Sequence, residues 1–265
     1  MKNLPILFTD LDQTLIYSHR QATKTRSALT GTVCVEEYEN RPLSYLSLQA
    51  WQMMVKHHTE MFNIIPVTTR TLRQYRRVQF PNLRFRYAVV LNGARILVDG
   101  VEDHKWTKKV AAEVKRLDTH PVHLWEQLTH HLAGHPEVTR VTSADDFFPY
   151  IVSPTQSTPE LDEYTHEMAL KTGYIRSKQG RKTYLIPPNL SKGTAVKELT
   201  RKLKPEITVA AGDSVLDFTM EPVTDHFIQP AHGDLTPASE HYRKTEHHGI
   251  KAAEDILNFM VNTAG

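Results

Sequence analysis

The sequence predicts an α/β fold, a parallel sheet covered by helices and interrupted by an inserted α+β module. Three observations carry that prediction. Short apolar runs alternate with stretches of helical periodicity toward both ends of the chain. These runs close on polar or acidic residues, and the end of a strand is where parallel sheets place ligands. Between about Val98 and Gln179 the alternation is lost and the chain becomes rich in histidine.

Taken in order, Leu4 to Phe8 is a short apolar run closed by Thr9 and Asp10, and reads as a buried strand. From Tyr45, residues Leu46, Leu48, Trp51, Met54, Val55 and Met61 recur at helical spacing, and a second apolar run from Phe62 to Val67 ends in Thr68, Thr69 and Arg70. Leu72 to Val78 reads as helix, Tyr87 to Leu91 as a third short strand, and Asn92-Gly93 as a turn. The middle region predicts helices around Thr107 to Arg116, Val122 to Leu132 and Pro159 to Thr172, with strands near Val138 to Val141 and Pro149 to Ser153. After residues 184–188 the α/β rhythm returns: Ser191 is placed to cap a helix running to Leu203, and Ile207 to Ala211 is a strand ending in Gly212-Asp213. The predicted division is a discontinuous core of residues 1–97 and 180–265 around an insert of residues 98–179.

Composition bounds the function. A length of 265 residues fits one large or two modest domains at roughly 150 residues each. With 40% hydrophobic and 23% charged residues the chain has the mass for a core, which excludes wholesale disorder. The 32 Lys and Arg against 30 Asp and Glu leave +2, too little to bind a polyanion through net field. The single Cys34 excludes a disulfide framework and a multi-cysteine zinc site, and a reduced cytosolic thiol is its expected state. The first apolar run is shorter than a signal segment, and nowhere do about 18 apolar residues run together. A cytoplasmic protein with no membrane partner is expected.

The chemistry begins at Asp10-Leu11-Asp12, directly after the first strand. Two carboxylates held close repel each other unless a cation or proton intervenes, and Mg²⁺ is a natural remedy. Asp-x-Asp alone is a weak signal, but three further features follow in order. Thr68 and Thr69 end the second apolar run, where a hydroxyl can donate to a phosphate oxygen or cap the next helix. Lys192 stands beside Gly193 at a helix start, where ammonium and backbone amides suit an anion. Asp213 and Asp217 follow another strand.

At these residues the chain resembles the haloacid dehalogenase superfamily of phosphatases, in particular its sucrose-phosphatase-like and Cof-like members. The matching segments are 8–15 (FTDLDQTL), 67–70 (VTTR), 190–195 (LSKGTA) and 212–217 (GDSVLD), and residues 89–96 (VVLNGARI) look like the stretch that precedes the family's caps. The resemblance implies a Rossmann-like doubly wound core with the insert as a C2-type cap. It implies Asp10 as the nucleophile forming an aspartyl-phosphate and Asp12 as the acid/base. It assigns Thr68, with Thr69 beside it, and Lys192 to the phosphoryl group. It places Mg²⁺ on Asp10, the Asp12 backbone carbonyl, Asp213 and Asp217. The expected activity is hydrolysis of a small phosphorylated metabolite, a sugar phosphate favoured, with phosphate transfer or non-catalytic ligand binding on the same scaffold as alternatives. Two positions depart from the family pattern: Thr69 stands where glycine is usual and Leu216 where asparagine is common.

Other clusters read as structural. Arg70, Arg73 and Arg77, with Arg76, Arg84 and Arg86 nearby, form a solvated basic face rather than a nucleic-acid surface, since net charge is balanced. His131 and His135 have the spacing of a helical metal pair, but Gly134 and Pro136 end the helix there. Arg176, Lys178, Arg181 and Lys182 around Gly180 read as an exposed hairpin.

Overall fold

The strand that carries the first acidic pair is apolar enough to be buried on both faces: β1 (Ile6–Thr9) is buried at every position. The structure, a computed structural model, describes residues 3–24, 29–154, 158–233, 235 and 239–265. After β1 come β2 (Tyr17–Ser18), helix α1 (His19–Lys24), β3 (Thr32–Tyr38) and β4 (Arg41–Ser47). β3 and β4 form an antiparallel hairpin that turns through Glu39 and Asn40, whose φ values are +51° and +59°. Two successive positive φ angles make the turn whose twist matches its strands. Ser47 caps α2 (Leu48–His57), accepting from the Ala50 amide at 3.1 Å. β5 (Asn63–Pro66) is followed by α3 (Leu72–Tyr75), which starts in a capping box of Thr71 and Gln74. β6 (Tyr87–Val90), β7 (Arg95–Val98) and β8 (Val101–Glu102) pair in turn as an antiparallel ribbon.

The next elements are α4 (His104–Val114), capped by Asp103, and α5 (Pro121–His131), which has proline in its first turn. β9 (Arg140–Ala144), β10 (Phe148–Val152), α6 (Pro159–Thr172), β11 (Ile175–Gln179) and β12 (Lys182–Ile186) follow. These four strands make an antiparallel sheet in the order β11-β12-β10-β9. Leu124 and Leu128 from α5, Leu161 and Ala169 from α6, Ile151 and Leu185 form its core.

The chain closes with α7 (Lys192–Leu203), β13 (Thr208–Ala211), β14 (His226–Gln229), β15 (Tyr242–Lys244) and α8 (Ala252–Ala264). A five-stranded parallel sheet has the order β15-β14-β13-β1-β5. Leu7, Ile64, Val209, Ala211 and Ile228 pack on Met54 of α2 and Ile256, Leu257 and Met260 of α8. The alternate positions Ile6, Phe8, Ile65, Ala210 and Phe227 are buried too, so both faces are covered, as a doubly wound sheet requires. The chain thus divides into two compact units, Met1–Glu102 with Lys192–Gly265, and Asp103–Ser191. No helix among the described residues is long and apolar enough to cross a membrane.

Several expected boundaries move. The split at 179/180 falls in the β11–β12 turn; β12 pairs with β10 and so lies in the second unit, because an apolar run does not announce which sheet it joins. The helix expected from Tyr45 starts at Leu48, since Tyr45 to Ser47 belong to β4. α3 stops at Tyr75 rather than Val78, which instead bridges to Glu36. β6 joins its own ribbon rather than the parallel sheet, and a Val67–Val89 bridge links it to the residue after β5.

Candidate active site

Strand register gathers one end of the sheet. Thr9 stands opposite Pro66 on one side and Ala211 on the other. Asp10, Val67-Thr68 and Gly212-Asp213 therefore follow their strands at the same edge. The Asp10 amide donates to the Ala211 carbonyl at 2.9 Å, and the Val67 amide to the Thr9 carbonyl at 2.8 Å. Asp10 is buried, at 5% exposure.

Lys192 opens α7 and is almost wholly enclosed, at 1% exposure. Its Nζ donates to Asp10 Oδ1 and to Asp217 Oδ1, each at 2.5 Å. Asp217 is occupied on its other oxygen as well: Oδ2 accepts from the Ser214 amide at 2.9 Å and the Ser214 hydroxyl at 2.6 Å. Two glycines let these elements meet. A Cβ on Gly193 would fall 1.8 Å from the Thr219 carbonyl oxygen, and one on Gly212 would fall 2.1 Å from Asp217 Cβ. α7 approaches the loop carrying Asp217 at a distance that only glycine permits.

The acids of this edge crowd together. Carboxylate oxygens of Asp10, Asp213 and Asp217 lie within 4.8 Å of one another, the one such group of three metal-capable side chains among the described residues. Burial raises the Asp10 carboxyl from 3.8 to about 7; Lys192 works against that rise, while Asp217 and Asp12 add to it. Asp213 is pushed well above the usual carboxylate range by burial and then by Asp217 and Asp10. Burial disfavours the Lys192 ammonium, yet the two aspartates outweigh it and raise its pKa. One lysine does not neutralise three carboxylates, and an all-oxygen donor set with unrelieved repulsion suits a hard divalent cation.

Asp12 is placed differently. Its side chain is half exposed and lies outside the carboxylate group. Arg70 grips it with two bonds, Nε to Oδ2 and Nη2 to Oδ1, both 2.7 Å. Thr68 is fully buried; its hydroxyl accepts from the Arg70 amide at 3.2 Å, and its own amide donates to the Val89 carbonyl at 2.9 Å. Thr69 is half-buried, and Thr71 rather than either of these threonines caps α3. Leu216, the other departure from the family pattern, is buried beside Asp217.

The basic face expected around Arg70 turns inward in part. Arg70 and Arg77 both bind the buried Glu36, at 2.9 and 3.1 Å. Neither contact is read from the sequence: Glu36 lies 34 and 41 residues from its two arginines, and Ser214, three residues from Asp217, is an uncharged residue that nothing local marks as its partner. His131 stacks on Tyr164 at 4.4 Å, and His135 Nδ1 accepts from the Glu137 amide, so each histidine has a packing or capping role. Arg176 and Lys178 stand on a hairpin and both bind Asp162.

No family model matches the chain, and no curated protein matches it either. Solved structures do match over its whole length. The sucrose-phosphatase of Synechocystis sp. PCC6803, solved with sucrose and phosphate, is 17% identical over 99% of this chain and 98% of its own, with a TM-score of 0.66. A trehalose-6-phosphate phosphatase related protein is 15% identical over 97% and 98%, with a TM-score of 0.57. A phosphatase of the haloalkanoate (HAD) enzyme superfamily from Bacteroides thetaiotaomicron is 14% identical over 98% and 94%, with a TM-score of 0.56. With a parallel core split by an inserted α+β unit and likeness along the full length of such structures, this chain has the fold of the haloacid dehalogenase superfamily.

Proposed function

We propose that the chain is a Mg²⁺-dependent phosphomonoester hydrolase acting on a small sugar phosphate. The observation that carries the reading is the buried set of Asp10, Asp213 and Asp217 around Lys192. A lysine fixed between two aspartates at the end of a parallel sheet is costly to build and serves no apolar core. Asp10 and Asp213 are the acids best placed to hold Mg²⁺ with the Asp12 carbonyl, since both oxygens of Asp217 are already engaged by Lys192 and Ser214. The ion, when bound, supplies positive charge to the phosphoryl oxygens.

In this reading the Asp10 carboxylate attacks phosphorus, the bond to the leaving oxygen breaks, and that oxygen takes the bonding pair together with a proton from Asp12. Asp12 then accepts a proton from the water that attacks the aspartyl-phosphate, which releases inorganic phosphate and restores Asp10. Lys192 holds the nucleophile in place and offsets charge on the transferring group, assisted by Thr68. The half-exposed Asp12 is the carboxylate that a leaving group reaches from solvent, which fits the acid/base role better than the buried Asp10. Sugar phosphates are favoured because the similar structures include a sucrose-phosphatase and a protein related to a trehalose-6-phosphate phosphatase.

Phosphate release is measured from a panel of sugar phosphates and p-nitrophenyl phosphate, with Mg²⁺ and with chelator. Turnover that requires Mg²⁺ and disappears in Asp10→Asn is expected. Release that survives Asp10→Asn would sink the assignment.

A further inference from the structure

Glu36 is the buried charge that the proposed chemistry does not use. It lies on β3, at an irregular step where the pairing with β4 shifts on either side of it. It is 3% exposed, and both of its carboxylate oxygens are hydrogen-bonded. Its Oε1 accepts from Arg77 Nε at 3.1 Å, and its Oε2 accepts from the Ser44 hydroxyl at 2.7 Å and from Arg70 Nη2 at 2.9 Å. Arg77 and Ser44 already supply a cation and a donor, so neutralising a buried glutamate does not by itself require Arg70.

The contact with Arg70 links Glu36 to the site. The nitrogen that binds Glu36, Nη2, is the same one that binds Asp12 Oδ1. Arg70 Nε binds the other Asp12 oxygen at 2.7 Å, and Nη1 reaches the Gln74 carbonyl at 3.5 Å. A guanidinium is planar and rigid, so an acceptor that fixes one edge fixes the direction of the whole fork. The Asp12 side chain, by contrast, is 52% exposed, and Arg70 holds both of its oxygens. Arg70 thus couples the two acids: Asp12 is held by its Nε and Nη2, and Glu36 holds the same Nη2.

We propose that Glu36 is a positioning residue: acting through Arg70, it sets the orientation from which Asp12 exchanges its proton with the leaving oxygen. This rests on the hydrolase reading above. The consequence is selective. A leaving group that departs as a stable anion needs no proton, whereas an alkoxide does.

The test compares wild type and Glu36→Gln on p-nitrophenyl phosphate and on the sugar phosphate that the wild type turns over fastest. Because general acid assistance is worth about 10²–10⁴-fold, a disturbed acid is expected to lower kcat on the sugar phosphate by about tenfold or more. On p-nitrophenyl phosphate the change is expected to stay within about threefold, and KM on both within about twofold, since the phosphoryl site is untouched. In an Asp12→Asn background the added effect of Glu36→Gln should vanish, as a residue acting only through Asp12 requires. Should Glu36→Gln not fold, Ser44→Ala and Arg77→Met, which loosen Glu36 without removing its charge, take its place with the same preference at smaller size. Equal losses on both substrates, or a loss that persists in the Asp12→Asn background, overturn the proposal and leave the hydrolase reading standing. A wild type inactive on both substrates overturns the two together.

Discussion

Replacing Asp10 by asparagine tests the electrostatics of the carboxylate group without any substrate. Asp10 is buried, and burial raises its carboxyl from 3.8 to about 7, with Lys192 opposing and Asp217 and Asp12 reinforcing the rise. A carboxyl whose folded-state pKa exceeds its unfolded one binds its proton more tightly in the folded chain. Its stabilising contribution is complete below the unfolded value of 3.8 and is lost as the pH rises through about 7. A rise of about 3 units, at 1.36 kcal/mol per unit, is about 4 kcal/mol. The amide of Asp10→Asn mimics the protonated carboxyl at every pH and escapes that loss. In metal-free buffer at pH 8 the variant is therefore expected to melt above the wild type by roughly 8–16 °C, at roughly 2–4 °C per kcal/mol for a chain of this size. At pH 5 most of the Asp10 proton is retained in the fold, and the gap should shrink by more than half. Mg²⁺ should raise the wild-type melting temperature and narrow the gap at pH 8, because an ion held by Asp10 stabilises only the fold that holds it. Differential scanning calorimetry at the two pH values gives the answer. A gap of the same size at both, or a wild type that melts higher at pH 8, would refute the reasoning.

Lys192→Met removes the cation between Asp10 and Asp217; kcat for phosphate release is expected to fall by about 10²–10³-fold, and urea unfolding should show a loss of about 3–5 kcal/mol. Gly193→Ala puts a Cβ 1.8 Å from the Thr219 carbonyl, so α7 must retreat; a stability loss of about 1–3 kcal/mol and a marked loss of turnover are expected together. Leu257→Ala in α8 empties a fully buried position under the parallel sheet; it should cost about 2–5 kcal/mol in the same unfolding assay, with KM unchanged in the folded fraction.

What the sequence discloses depends on how local each signal is. β1, β5 and β13 are legible because each is a short, mainly apolar run with polar or acidic residues at or soon after its end. α6 is legible because Pro159 marks its start and Gly173 its end. The β3–β4 hairpin escapes because Arg41, Pro42 and Leu43 are exposed and break the alternation of β4. Its last residues, Tyr45 and Leu46, then lead into α2 and are read as part of it. The acids of the candidate site are found for the same local reason, each following a strand. Arg70 and Glu36 are not, since Arg70 is separated by 58 residues from Asp12 and by 34 from Glu36. An arginine among neighbouring arginines reads as solvated until its partners are brought to it.

The position of β1 between β5 and β13 has a consequence for how the molecule is made. Ile6 pairs with Asn63 on one side and with Thr208 on the other. During synthesis the first partner emerges early, while the second follows only after the whole of the inserted unit. At about 5–20 residues per second, β1 keeps an unpaired apolar edge for on the order of 10–40 s. An open edge of that kind is a template for pairing with another chain. A truncation before Thr208 makes that exposure permanent and also lacks Asp213 and Asp217. Such a fragment is expected to aggregate, and the nascent chain to depend on chaperones during the same interval.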